Sequence, residues 1–238
     1  MRAENVPSFH VLLSVGLLGL TACSDSRPVD PTTGQPVEPI TEMQDGVAIL
    51  FSTDGTGNCN FEPTPNSLIV AALNTNTYNQ AAQCGACAEV EGPQGESVVV
   101  RVIDVCPSCT ENQLALSSQA LGAIAPPESL QTTMRWRYVT CGVEGPVRYR
   151  FKEESGPYWT AVQVRNHRLP ISKFEWQKDG AWVEVKRESY NYFVETSGMG
   201  AGPVKVRITA NDGQLLEDTL PSIAGGLVVD GAAQFKVD

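Results

Sequence analysis

The chain has 238 residues, 27 acidic against 17 basic, and a formal net charge of −10 at pH 7. It offers no basic face to displace counterions from a phosphate backbone, which excludes nucleic acid as a partner. Acidic polymers are disfavoured by the same balance, and a neutral polymer suits it best.

Arg2 is the only positive charge before the apolar run at 11–20. At about ten residues that run is too short to span a bilayer as a helix. It fits the apolar region of an export signal. The run ends in Leu20-Thr21-Ala22-Cys23, similar to a bacterial lipobox, with Ser24 next, as in outer-membrane lipoproteins. Residues 1–23 therefore read as a lipoprotein signal peptide with Cys23 as the lipidated residue; the alternative is an ordinary signal with an incidental cysteine. Seven cysteines less Cys23 leave six: Cys59, Cys84, Cys87, Cys106, Cys109 and Cys141. An even number in an exported protein points to disulfides. Residues 24–45 are rich in Pro, Thr, Asp and Glu, and read as a disordered tether. Any membrane association is expected through the lipid alone. About 190 residues remain, comfortable for two domains of about 100.

The first globular part, 46–145, carries nine acidic and three basic residues. Gly46–Phe51 predicts a strand, 52–60 a Gly-rich loop with Asp54 and Cys59, and 67–73 a short helix or strand. Residues 84–90 lead into a strand, followed by a Glu91-Gly92-Pro93 turn. The central stretch is Val98-Val99-Val100-Arg101-Val102-Ile103-Asp104-Val105-Cys106-Pro107-Ser108-Cys109. Its β-branched run predicts a strand covered on both faces, with Asp104 near its end and a Cys-Pro-x-Cys turn after it. It is either a buried strand with a stapled turn or a strand presenting Asp104 to a substrate groove. Residues 114–124 are apolar at helical spacing and stop at Pro126-Pro127. Residues 134–141 alternate as a closing strand. Short strands throughout predict a small closed barrel. The pairs Cys84-x-x-Cys87 and Cys106-x-x-Cys109 match a four-cysteine zinc pattern. Export, and the two cysteines that a zinc site would strand, favour disulfides and no metal. A thioredoxin-like role lacks its βαβ surroundings.

The second part, 146–238, is neutral, with twelve acidic and twelve basic residues and no cysteine. Val147, Tyr149 and Phe151 alternate with Arg148, Arg150 and Lys152, as in a half-buried strand. Asp179-Gly180 marks a hairpin. Seven or eight short strands, the last at 234–237, predict an immunoglobulin-like sandwich. Tyr158 and Trp159 are adjacent, and on a strand they would point to opposite faces. The Gly156-Pro157 turn before them is able to splay both rings outward, and flat rings stack on sugars without needing charge. Otherwise Trp159 is core and the tyrosines are scattered on the surface.

These residues resemble a family. Gly46-Val47-Ala48, Cys84-Gly85-Ala86-Cys87, Val102-Ile103-Asp104-Val105-Cys106-Pro107 and the strand at 136–141 are similar to the first domain of expansins. Arg150-Phe151-Lys152, the run Tyr158-Trp159-Thr160-Ala161-Val162-Gln163-Val164-Arg165-Asn166-His167, Lys178-Asp179-Gly180-Ala181-Trp182 and Tyr190-Asn191-Tyr192-Phe193 are similar to the second domain of bacterial expansins. The resemblance implies an all-β fold, a six-stranded double-psi β-barrel (46–145) followed by an immunoglobulin-like cellulose-binding sandwich (146–238). It also implies the pairs Cys59–Cys84 and Cys87–Cys141, leaving Cys106 with Cys109. It places Tyr158, Trp159, Tyr190 and Lys152 on a carbohydrate-binding face and Asp104 in a wall-loosening groove. The implied activity is non-hydrolytic loosening of cellulose or a related neutral β-glucan, by a monomer with no cofactor. Three positions depart from the family: Ile49 replaces a threonine, Ala115 the second carboxylate, and Cys106 a tyrosine. Tyr158 stands where the nearest relatives carry tryptophan. Glucan hydrolysis normally needs two carboxylates, so Ala115 argues against it. The alternatives are a peptidoglycan lytic transglycosylase or hydrolase using Asp104, and a surface-displayed binding protein with an inactive barrel.

Overall fold

The computed structural model describes residues 28–63 and 67–237. The apolar run at 11–20 and Cys23 lie outside them. The barrel strands are β1 (Gln44–Leu50), β2 (Val70–Asn74), β3 (Cys87–Glu91), β4 (Ser97–Cys106), β5 (Gln113–Leu116) and β6 (Gln131–Val139), with short helices α1 (Thr75–Tyr78) and α2 (Ser118–Gly122). They close in the order β1-β5-β2-β4-β3-β6. Two neighbouring pairs, β1 with β5 and β2 with β4, run parallel. Val100, Val102, Leu73, Leu114, Leu116 and Trp136 fill the interior.

The later strands are β7 (Arg148–Phe151), β8 (Thr160–Arg165), β9 (Ile171–Lys178), β10 (Ala181–Glu184), β11 (Phe193–Glu195), β12 (Val204–Ala210), β13 (Leu215–Leu220) and β14 (Val228–Asp230). They form two antiparallel four-stranded sheets, β10-β9-β12-β13 and β11-β8-β7-β14. Tyr149, Phe151, Val162, Val164, Phe174 and Phe193 meet between them. The β9–β10 hairpin turns on Asp179 and Gly180, both at positive φ (52° and 84°), as an Asp-Gly two-residue turn requires. The all-β fold, a six-stranded barrel followed by a sandwich, is the one the resemblance implied.

Three local expectations differ. The stretch at 114–124 is a strand and then a helix. Leu114 and Leu116 alternate into the barrel, and Ser117 then caps α2 by accepting from the Ala120 amide. The last strand is Val228–Asp230 rather than 234–237. The described part of the expected tether, 28–45, is packed. Val37 is fully buried, Pro39 bridges Val139, Thr140 donates its amide to Glu38 (2.8 Å), and β1 already begins at Gln44. Two well-placed apolar side chains, Val37 and Ile40, suffice to dock a segment that is otherwise polar.

Candidate functional site

Asp104 lies near the end of β4 and is half-buried. One oxygen accepts the amides of Val105 and Asn58, each at 2.8 Å. The loop carrying Asn58 reaches this close because residue 57 is glycine. A Cβ there would stand 2.4 Å from the Ile103 carbonyl oxygen and 2.7 Å from the Asp104 Cβ.

Strand pairing sets the neighbours of this carboxylate. Asp104 pairs with Ala72, Ala72 with Ala115, and Ala115 with Ile49. Leu114 and Leu116 point into the barrel, so Ala115 between them points to the other face. The row across four strands is therefore Ile49, Ala115, Ala72 and Asp104, with one carboxylate. Asp54, the acid on the loop after β1, is exposed and accepts from the Thr56 hydroxyl and amide, which hold its pKa below the usual range. General acid–base cleavage by two carboxylates has no second member in this row.

The aromatic cluster lies on the outer face of the β11-β8-β7-β14 sheet. Val162 and Val164 are in the sandwich core, so Ala161 and Gln163 face outward, and Trp159 follows the same alternation. Gly156 and Trp159 bridge each other around Pro157 and Tyr158, and Tyr158 at the tip is 88% exposed. Gly198 supports this turn from behind; a Cβ on it would stand 2.1 Å from the Pro157 carbonyl oxygen. Lys152 follows core residue Phe151 and hydrogen-bonds Ala161 through its backbone. Its ammonium pairs with Glu154 at 2.6 Å, which raises its pKa, and the nearby Tyr192 and Tyr190 act in the same direction. Tyr190 is half-buried against Tyr192, their ring centres 6.0 Å apart. Trp159, Lys152 and Tyr190 thus share one face, with Tyr158 at its rim.

That face continues into the barrel. Asn58, whose amide binds Asp104, donates its side chain to the Ser189 carbonyl (2.7 Å) and to the Tyr78 hydroxyl (3.1 Å). Tyr78 also donates to Ser189 (2.9 Å), and burial pushes its pKa up to about 12. Asn60 donates to the Tyr190 carbonyl, and buried Gln163 and Asn191 both donate to the Cys59 carbonyl. Asn58, Asn60, Tyr78 and Gln163 were not singled out from sequence. The Asn58-Cys59-Asn60 run is a local signal for the two asparagines alone; Tyr78 and Gln163 carry none.

The six cysteines among the described residues are paired, as Cys59–Cys84, Cys87–Cys141 and Cys106–Cys109, which are the pairs the resemblance implied and exclude a zinc site built on them. Among the described residues, no cluster of three or more His, Cys, Asp or Glu could hold a metal ion, and no helix is long and apolar enough to cross a membrane.

Fold and site define a class: a disulfide-stapled barrel joined to an antiparallel sandwich, with a single-carboxylate row and an exposed aromatic face side by side. No protein-family model matches the chain. It is 37% identical over 204 residues to Expansin-YoaJ of Bacillus subtilis, covering 82% of this chain and 87% of that one. It is 30% identical over 207 residues to expansin-like protein 1 of Dictyostelium discoideum, covering 81% and 72%. The crystal structure of the Clavibacter michiganensis expansin superposes with a TM-score of 0.76 at 28% identity, covering 83% of this chain and all of that one. A point mutant of that protein, in complex with cellohexaose, matches equally. The chain belongs to the expansin family.

Proposed function

We propose that this expansin loosens networks of cellulose or a related neutral β-1,4-glucan without cutting them, as a monomer of two domains, 46–145 and 146–238. Trp159, Tyr190 and Tyr158 stack on the sugar rings, Lys152 hydrogen-bonds beside them, and Asp104 binds chain hydroxyls from the barrel. The observation that carries this reading is Asn58, which ties Asp104 to the peptide preceding Tyr190 and so joins carboxylate and aromatics on one face. The cellohexaose bound to a mutant of the Clavibacter expansin supports the ligand class. The paired cysteines suit an oxidising compartment outside the cytosol. The Ile49-Ala115-Ala72 stretch favours a second reading, in which the barrel is a rigid support and the protein only binds.

The test is retention on crystalline cellulose, with reducing ends assayed in the same tubes. The wild-type protein should be retained and release no soluble sugar. Trp159→Ala with Tyr190→Ala should reduce retention at least tenfold with an unchanged circular dichroism spectrum. Sugar released in quantity, or retention unaffected by the double substitution, overturns the proposal. Paper-weakening activity in the wild type separates loosening from binding alone.

A further inference from the structure

We propose that the cavity enclosed by the packed N-terminal strap (28–43), the barrel and the β7–β14 edge of the sandwich binds a small sugar acid, a monosaccharide-sized molecule with one carboxylate and several hydroxyls. The cavity is about 570 Å³, within the range of small-molecule sites, and shares no residue with Asp104 or the aromatic row. Arg101 is its anchor. The guanidinium carbon lies 4.2 Å from the centre of the Phe61 ring. Burial lowers its pKa to about 10, which leaves it charged at neutral pH. Among the described residues no carboxylate forms a close ion pair with it; Asp30 and Glu62, which also line the cavity, act on it through their charge alone. Glu62 is held by Arg150 and Arg165, and Asp30 accepts from the Thr32 amide and hydroxyl. A guanidinium carries five donors in a planar fork that matches a carboxylate.

The second polar group is His167, which is buried. Its Nδ1 lies 2.8 Å from the Leu169 carbonyl oxygen, so Nδ1 carries the proton and Nε2 is left as an acceptor. Nε2 would lie 2.8 Å from a Cβ on Gly85, and the Phe61 ring edge 3.2 Å from it. Cation and acceptor therefore flank the same ring. Together they select a ligand that offers both a carboxylate and a hydroxyl donor. A neutral sugar lacks the first, and an inorganic anion such as phosphate lacks the ring surface that would lie on the apolar wall.

The test is calorimetric titration of the full chain with sodium galacturonate, glucose and inorganic phosphate at constant ionic strength. Galacturonate should bind saturably, at least tenfold more tightly than either control. Arg101→Gln should weaken it at least tenfold while cellulose retention stays unchanged. In the wild-type protein, galacturonate should shift the Gly85 and His167 amide resonances and leave Trp159 in place, a readout that does not depend on a variant folding. No saturable binding, equal binding of phosphate, binding by Arg101→Gln within twofold of wild type, or unmoved Gly85 and His167 resonances overturns the proposal.

Discussion

At the scale of single residues, Asp104 has two roles that can be separated. It anchors the Asn58 and Val105 amides through one oxygen, and the proposed loosening would use the other. An amide keeps the acceptor and loses the charge. Asp104→Asn should therefore keep cellulose retention within twofold and remove paper-weakening; retained weakening would reduce Asp104 to a structural residue. His167 carries a different prediction. Burial first, and the Arg101 charge next, push its pKa down to about 3. The unfolded imidazole titrates near 6.5, at about the usual value. The unfolded chain thus takes up a proton that the native protein refuses, so this group's contribution is complete above pH ~6.5 and is lost as pH falls toward 3. The slope approaches about 1.4 kcal/mol per pH unit. Stability measured in urea should fall by about 1–2 kcal/mol between pH 6.5 and 5. His167→Gln should flatten that fall, and an unchanged slope would place the proton elsewhere.

At the scale of elements, the disulfides divide by what they close. Cys87–Cys141 joins β3 to the residues after β6 across 54 positions, and both sulfurs are buried. Cys106–Cys109 closes a turn of sequence separation 3 at the end of β4. Loop-closure entropy assigns about 4 kcal/mol to the first and under about 2 kcal/mol to the second. Replacing Cys87 and Cys141 together with alanine should lower Tm far more than replacing Cys106 and Cys109, and scanning calorimetry on the two variants checks it. The cysteine parity, the Asp-Gly hairpin and the alternation of Val147, Tyr149 and Phe151 were legible because each depends on neighbours in sequence. The β5–α2 boundary was not. Leu114, Leu121 and Ile124 fit one helical face, while Leu114 and Leu116 fit the alternation of a strand. The partners β1 and β2, each more than forty residues earlier in the chain, decide for the strand. The strap at 28–43 was misread for a related reason. Composition averages over a segment, whereas docking needs only Val37 and Ile40 in register with β6.

At the scale of the whole molecule, the groups that join the two halves are polar and were illegible, because a buried interface amide looks like a surface one in sequence. Gln163 is fully buried and donates to the Cys59 and Asn191 carbonyls. Arg187 stacks 4.6 Å from the Phe193 ring centre and reaches the Ala81 carbonyl at 3.0 Å. Cys141 donates its amide to Arg168, and the Asn58 and Tyr78 side chains both end on Ser189. These bonds cross between barrel and sandwich near Asp104 and Tyr190, so under the proposed function a glucan held on one half would be registered to the other. Breaking one leaves a buried acceptor short of a donor, at a cost of about 1–3 kcal/mol. For a chain of this size each kcal/mol lowers Tm by about 2–4 °C. Gln163→Leu keeps the side chain's volume and removes its amide. The wild-type protein should unfold in one calorimetric transition, because neither half loses its partner without exposing these groups. Gln163→Leu should lower Tm by several degrees and broaden the transition toward two. It should also weaken long cellulo-oligosaccharides more than short ones, since only the long ones need both halves in register. Equal weakening for every length, or a wild type that already melts in two steps, would mean the halves act independently.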